Sequence, residues 1–137
     1  MRAVPRAVIA SASERAASFR SEQRLHRPGE FSAVMAARHV VRGEFFDLHY
    51  CATGTDQAAR LGLIVPKRLA RAASLRNAIK RQGREVFRLI AMRILPCDLV
   101  LRLKRALKGV NARDAVSRKA WRTELESLLR HLPPLSR

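Results

Sequence analysis

The sequence predicts an α+β domain: a small mixed sheet of about four strands, packed with three helices and containing a βαβ crossover. Three observations carry this. Short strand-like runs flank Gly43 and recur at Leu61–Val65 and Asp98–Leu103. Apolar residues return at helical spacing in three separate stretches. The longest helical stretch lies between two of the strand-like runs, the arrangement that a parallel strand pair requires. With 137 residues the chain is long enough for one domain with a modest core.

Residues 1–23 are rich in Ala, Ser and Arg and poor in large apolar side chains, and are expected to form a disordered basic extension. Ala7–Ala10 is too short for the apolar centre of a secretory signal, and the Arg/Ser bias is only superficially that of a transit peptide. The folded domain is expected over residues 24–133, with a short tail at 134–137. Pro28 opens the first helix, as Pro does at a first helical position, and Phe31, Val34 and Met35 carry it to about Ala37. His39–Cys51 reads as two strands around Gly43, with Phe46, Leu48 and Tyr50 facing the core and Asp47 and His49 facing away. Ala52–Ala59 is a polar loop.

Leu61–Val65 is an apolar strand that Pro66 ends. A helix from about Arg71 to Met92 follows, with Leu75, Ile79, Val86 and Ile90 on one narrow arc. Gly83 within it costs roughly 1 kcal/mol against Ala, and the sequence offers no reason for it. Asp98–Leu103 is the last strand. Asn111 is expected to cap the last helix, with Asp114 in its first turn. Trp121, Leu125, Leu128, Leu129 and Leu132 form that helix's apolar stripe, which favours a core role for Trp121 over a stacking platform. Pro133–Pro134 stops it.

Charge points to the partner. Lys and Arg number 28 against 11 Asp and Glu, a net +17, which implies a polyanion. From Lys67 to Arg93 the only acid is Glu85. Arg76, Lys80, Arg84 and Arg88 succeed one another at i, i+4, with Asn77 and Arg81 beside them. Like charges in one row weaken a helix, so a row of this kind suits presentation to nucleic acid. A solvated face would ordinarily mix signs. Aromatics are scarce, which argues against binding mainly by stacked bases. No apolar run reaches the ~18 residues of a membrane span. Cys51 and Cys97 lie far apart and outside any CxxC, consistent with reduced thiols in a cytoplasmic protein.

These residues resemble a known signature. Gly62, Leu63, Val65, Lys67, Ala73, Arg76, Asn77, Ile79, Lys80, Arg81, Arg84, Glu85, Phe87 and Arg88 match the pattern of the bacterial ribonuclease P protein family. Arg68 replaces a Lys conservatively, and Ala78 stands where the family's R-N-R triplet has its second Arg. A weaker likeness spans about Arg24 to Leu132. The resemblance implies a left-handed crossover. It implies that Lys67, Arg68, Arg71, Arg76, Asn77, Lys80, Arg81, Arg84 and Arg88 bind RNA. It further implies that the first helix and the sheet form a cleft for the 5′ leader of precursor tRNA, at Phe31, Met35 and His49. Met35 occupies a position usually aromatic in the family. From the residues alone, Phe31 serves equally as a core side chain, His49 as a surface one, and Asn77 as a structural cap.

No catalytic constellation is visible in the polypeptide. The acids look isolated, Glu124 and Glu126 diverge on their helix, and no His/Cys cluster has metal-ligand spacing. Glu85 is expected to orient Arg81 or Arg88. The resemblance implies that the RNA subunit is the catalyst and uses Mg²⁺, while the protein binds no cofactor of its own and no small-molecule substrate. The expected partners are ribonuclease P RNA and precursor tRNA. Another kind of basic RNA-binding protein, ribosomal or chaperone-like, would share the charge but not the extended Arg76–Arg88 motif. A DNA-binding protein is a third possibility, disfavoured because no tight helix-turn-helix precedes the basic helix.

Overall fold

The computed structural model describes residues 23–52, 58–91 and 96–132. Residues 1–22 of the basic extension, most of the Ala52–Ala59 loop, Met92, Pro133–Pro134 and the tail lie outside the described residues. Seven elements follow in order: α1 (Pro28–Ala36), β1 (His39–Arg42), β2 (Phe46–Ala52), β3 (Arg60–Ile64), α2 (Ala73–Ile90), β4 (Cys97–Leu103) and α3 (Ala115–Arg130). The sheet runs β1-β2-β4-β3. β2 is antiparallel to both β1 and β4, whereas β3 and β4 are parallel, with Arg60 opposite Asp98 and Leu61 opposite Leu99. The expected α+β class and the strand-helix-strand crossover are both present.

Strand alternation divides the core in two. Phe46, Leu48, Leu61, Leu99, Leu101 and Leu103 point to one face and pack with α2 and α3. Complete burial of such a side chain stabilises by about 1.5–3 kcal/mol. Leu75, Ile79, Val86 and Phe87 from α2 join them, as do Trp121, Leu125, Leu128 and Leu129 from α3. Trp121 is therefore core, as its spacing indicates. The opposite face carries a smaller cluster of Leu25, Val34 and Val100, with Phe31, Met35, Cys51 and Ile64 at its margin. α1 covers that face.

Gly83 now has a reason: a Cβ there would lie 2.9 Å from Leu63 Cδ2 and 3.3 Å from Leu101 Cδ2. The missing side chain lets α2 settle close against the sheet. α3 is tied to the β1–β2 turn by Glu124, whose carboxylate accepts from the Phe45 and Phe46 amides at 2.9 and 2.7 Å. Cys97 is buried and Cys51 half-buried, both as free thiols; burial pushes the Cys97 thiol up to about 12.

Two boundaries differ from expectation. α2 starts at Ala73 rather than Arg71, because Pro66–Ala70 forms a tight turn instead: the Leu69 and Ala70 amides both donate to the Pro66 carbonyl, at 3.0 and 3.1 Å. The cap of α3 is Asp114, which accepts from the Val116 amide. Asn111 caps the preceding turn through the Arg113 amide. Both side chains cap as their type favours, three residues apart.

Candidate nucleic-acid interface

The basic residues expected to bind RNA group on two connected surfaces. Lys67, Arg68 and Arg71 stand exposed on the turn between β3 and α2. That turn is pinned from two sides. The Leu107 amide donates to the Leu69 carbonyl at 2.9 Å. Arg76 folds back from the first turn of α2, its Nη1 donating to the carbonyls of Ala70 at 3.0 Å and Arg71 at 2.7 Å. Three cations thus sit on backbone that is already ordered, which lowers the entropic cost of using them. Arg76, expected to meet RNA directly, spends part of its fork holding this turn.

Along α2, Asn77 and Arg81 are exposed, while Lys80, Arg84 and Arg88 are half-buried. Glu85, the one acid in the row, pairs with Arg88, one of the two partners expected for it. Arg84 is drawn inward. Burial, with the nearby charges of Arg24 and Arg81, lowers its pKa. Arg24 bridges to Leu61 at the outer edge of β3, and Leu25 donates to the Leu61 carbonyl at 3.1 Å. The cationic face of α2 therefore turns toward the β3 edge, where the chain that leads into α1 also runs. Ala78 packs against the main core rather than joining the cations.

Phe31, Met35 and His49 come together on the α1 side of the sheet. Phe31 and Met35 are half-buried on the smaller cluster. His49 lies opposite Val100 of that cluster, so the two share a face. Burial holds the His49 imidazole below its ordinary pKa, with Arg102 and Arg42 acting the same way against Asp47. Its Nε2 is buried without a hydrogen-bond partner among the described residues.

One feature of this face is illegible from spacing. Arg60 forks onto Asp98, Nε to Oδ1 at 2.9 Å and Nη2 to Oδ2 at 2.8 Å, and its Nη1 reaches Glu30 Oε2 at 2.7 Å. Glu30 also accepts from the His26 and Arg27 amides at 2.8 and 2.9 Å. One guanidinium thus ties α1 to β4 across the end of β3. Asp47 likewise is engaged, by Lys104 at 2.8 Å and Arg42 at 3.7 Å. Glu30, Asp47, Glu85 and Asp98, which looked isolated in sequence, are thus each paired with a cation. Among the described residues no group of three or more His, Cys, Asp or Glu could hold a metal ion, and no helix is long and apolar enough to cross a membrane.

Comparison with known proteins agrees with this architecture. The family model described as Ribonuclease P matches residues 19–132. The ribonuclease P protein component of Azoarcus sp. (strain BH72) is 40% identical over 125 residues, 90% of this chain and 95% of that one. That of Bordetella petrii is 46% identical over 86 residues, 60% of this chain and 70% of that one. The Staphylococcus aureus RNase P protein structure at 2.0 Å superposes with a TM-score of 0.69 at 25% identity, covering 83% of this chain and 98% of that chain. The Thermotoga maritima RNase P protein gives 0.64 at 25% identity, covering 80% and 97%. With the family model spanning the whole described fold and a relative matched over nearly its full length, the chain belongs to the ribonuclease P protein component family.

Proposed function

We propose that this chain binds the catalytic RNA subunit of ribonuclease P and the 5′ leader of precursor tRNA in the cytoplasm, and so supports removal of the leader. The observation that carries this is the sign of the α2 face: its cations are opposed by Glu85 alone, and Glu85 is already taken by Arg88. Lys67, Arg68, Arg71, Lys80 and Arg81 then meet phosphates of the RNA subunit, Lys as a point charge and Arg as a fork or a stacking plane. Arg76 positions the turn, Asn77 supplies a hydrogen bond beside it, and Arg84 and Arg88 complete the row. Phe31, Met35 and His49 receive the leader, with His49 neutral near physiological pH. The RNA performs the hydrolysis with its Mg²⁺. The protein's part is to neutralise phosphate where two RNAs meet and to favour precursor over mature tRNA.

The test is cleavage of a precursor tRNA at low Mg²⁺ by a bacterial ribonuclease P RNA alone, by this protein alone, and by both. The expected result is cleavage at the mature 5′ end only with both present. A protein without effect on well-folded RNA would reduce the reading to a generic RNA binder, and cleavage by purified protein alone would place the chemistry in the polypeptide.

A further inference from the structure

The turns that follow β3 and β4 enclose a concave pocket of about 520 Å³, within the ~300–1,000 Å³ that seats a small organic group. Leu69, Leu75, Leu107 and Val110 give it an apolar floor, Arg68, Arg71 and Lys108 stand around it, and no carboxylate lines it. The walls are built rather than loose. The Leu107 amide is bonded to the Leu69 carbonyl, and Gly109 bends the second wall at φ +71°, a conformation that favours glycine.

We propose that this pocket receives one unpaired nucleotide of the ribonuclease P RNA, its base on the apolar floor and its phosphate among the three cations. The proposal rests on the RNA-binding reading above and extends the interface to residues 106–110, beyond the α2 row. An apolar surface bordered by cations alone matches a nucleotide, which has an apolar face and an anionic link a few ångströms apart. Arg68 and Arg71 belong both to this pocket and to the pinned turn that begins the α2 row, so an RNA strand on α2 continues into it. The pocket opens among residues of the main core, on the sheet face that α2 covers, away from Phe31, Met35 and His49. That placement selects the RNA subunit over the leader. A larger groove of about 770 Å³ lies between the β1–β2 turn and α3, but Glu44 and Glu124 line it alongside Arg42 and Lys119, so its charge is mixed where the smaller pocket is bordered by cations alone.

The experiment uses the full unmodified chain assembled with a bacterial ribonuclease P RNA and precursor tRNA, both carrying photoreactive thiouridine, and reads by mass spectrometry which nucleotide crosslinks to residues 106–110. The expected product is a crosslink to an unpaired nucleotide of the RNA subunit. A crosslink to precursor tRNA, to a duplex segment, or to nothing overturns the proposal. In parallel, Lys108→Ala should lower the slope of log affinity against log salt by about 0.7, one single-strand phosphate contact. Ala106→Trp, which fills the pocket without changing charge, should weaken RNA binding by about tenfold, in the range of one lost stacked base, at an unchanged slope and an unchanged thermal midpoint. Unaltered binding by both variants overturns the proposal; should Ala106→Trp unfold, Lys108→Ala and the crosslink decide. A chain that binds no ribonuclease P RNA at all overturns the function along with the pocket. Weakening by Lys80→Ala with Arg81→Ala, but not by the pocket variants, overturns the pocket alone.

Discussion

Phe31 rests on Gly62: a Cβ at Gly62 would lie 2.7 Å from the ring's Cζ and 3.1 Å from Leu25 Cδ1. A flat ring has no slack end to swing away, so an added methyl must push it, and with it α1, off the sheet. Gly62→Ala is therefore expected to destabilise the fold by about 1–3 kcal/mol, read as a lower urea midpoint. It should also narrow the ratio of precursor to mature tRNA affinity, since the displaced ring belongs to the proposed leader surface. Phe31→Ala should narrow that ratio too. Equal losses for the two tRNAs would make Phe31 a packing residue only.

The Glu30 carboxylate predicts an acid limit. Hydrogen bonds from the Arg27 and His26 amides, then the Arg60 guanidinium, hold the Glu30 carboxyl down at about 2, from an ordinary 4.5. A carboxyl with a lowered folded pKa stabilises the fold above its unfolded pKa and loses that contribution as pH falls through the folded one. Stability should thus decline between about pH 4.5 and 2. In Glu30→Gln that segment of the pH–stability curve should flatten, and thermal unfolding followed across this range checks it. An unchanged curve would mean that the Glu30 carboxylate, with its amide and Arg60 partners, adds nothing to the stability of the fold.

Which parts of this molecule were legible in sequence follows from which interactions are local. The strands around Gly43, the apolar arcs of α2 and α3 and the cation row all repeat with the period of their own element, so residue spacing reveals them. The Arg60–Asp98 pair depends on the parallel register of β3 on β4, which no local pattern specifies. Gly62 and Gly83 report the approach of another element, α1 in one case and the sheet in the other, and a glycine in sequence does not say what comes near it. Arg76 read as one more member of the row because its type and spacing match. Its turn toward the Ala70 and Arg71 carbonyls depends on the shape of the preceding loop.

Arg76 and the Lys80–Arg81 pair should therefore separate in salt titrations of RNA binding. If Lys80 and Arg81 each meet a phosphate as proposed, Lys80→Ala with Arg81→Ala should lower the salt slope by roughly 1.4 to 1.8. Arg76→Ala should weaken binding with a smaller change in slope, because it loosens the turn that presents Lys67, Arg68 and Arg71. Arg76→Lys should restore the charge without fully restoring affinity, since the shorter lysine side chain does not carry its ammonium to the place from which Nη1 donates to both carbonyls. Full recovery in Arg76→Lys would make Arg76 a phosphate contact like its neighbours.

Gly83 tests how tightly α2 sits on the sheet. Alanine improves helix propensity by about 1 kcal/mol, but its methyl would meet Leu63 Cδ2 at 2.9 Å. That atom is the free end of a half-buried side chain and can give way by a small rotation. The two effects should nearly cancel, leaving Gly83→Ala within about 1 kcal/mol of the parent in urea unfolding. Gly83→Val has no such escape. Its branches would press on Leu63 and Leu101 together, and overpacking of this kind costs about 1–3 kcal/mol. Because the cations of α2 ride on the same helix, Gly83→Val should also weaken RNA-subunit binding while leaving the salt slope unchanged. A Val variant as stable as the parent would mean that the helix can retreat from the sheet at no cost.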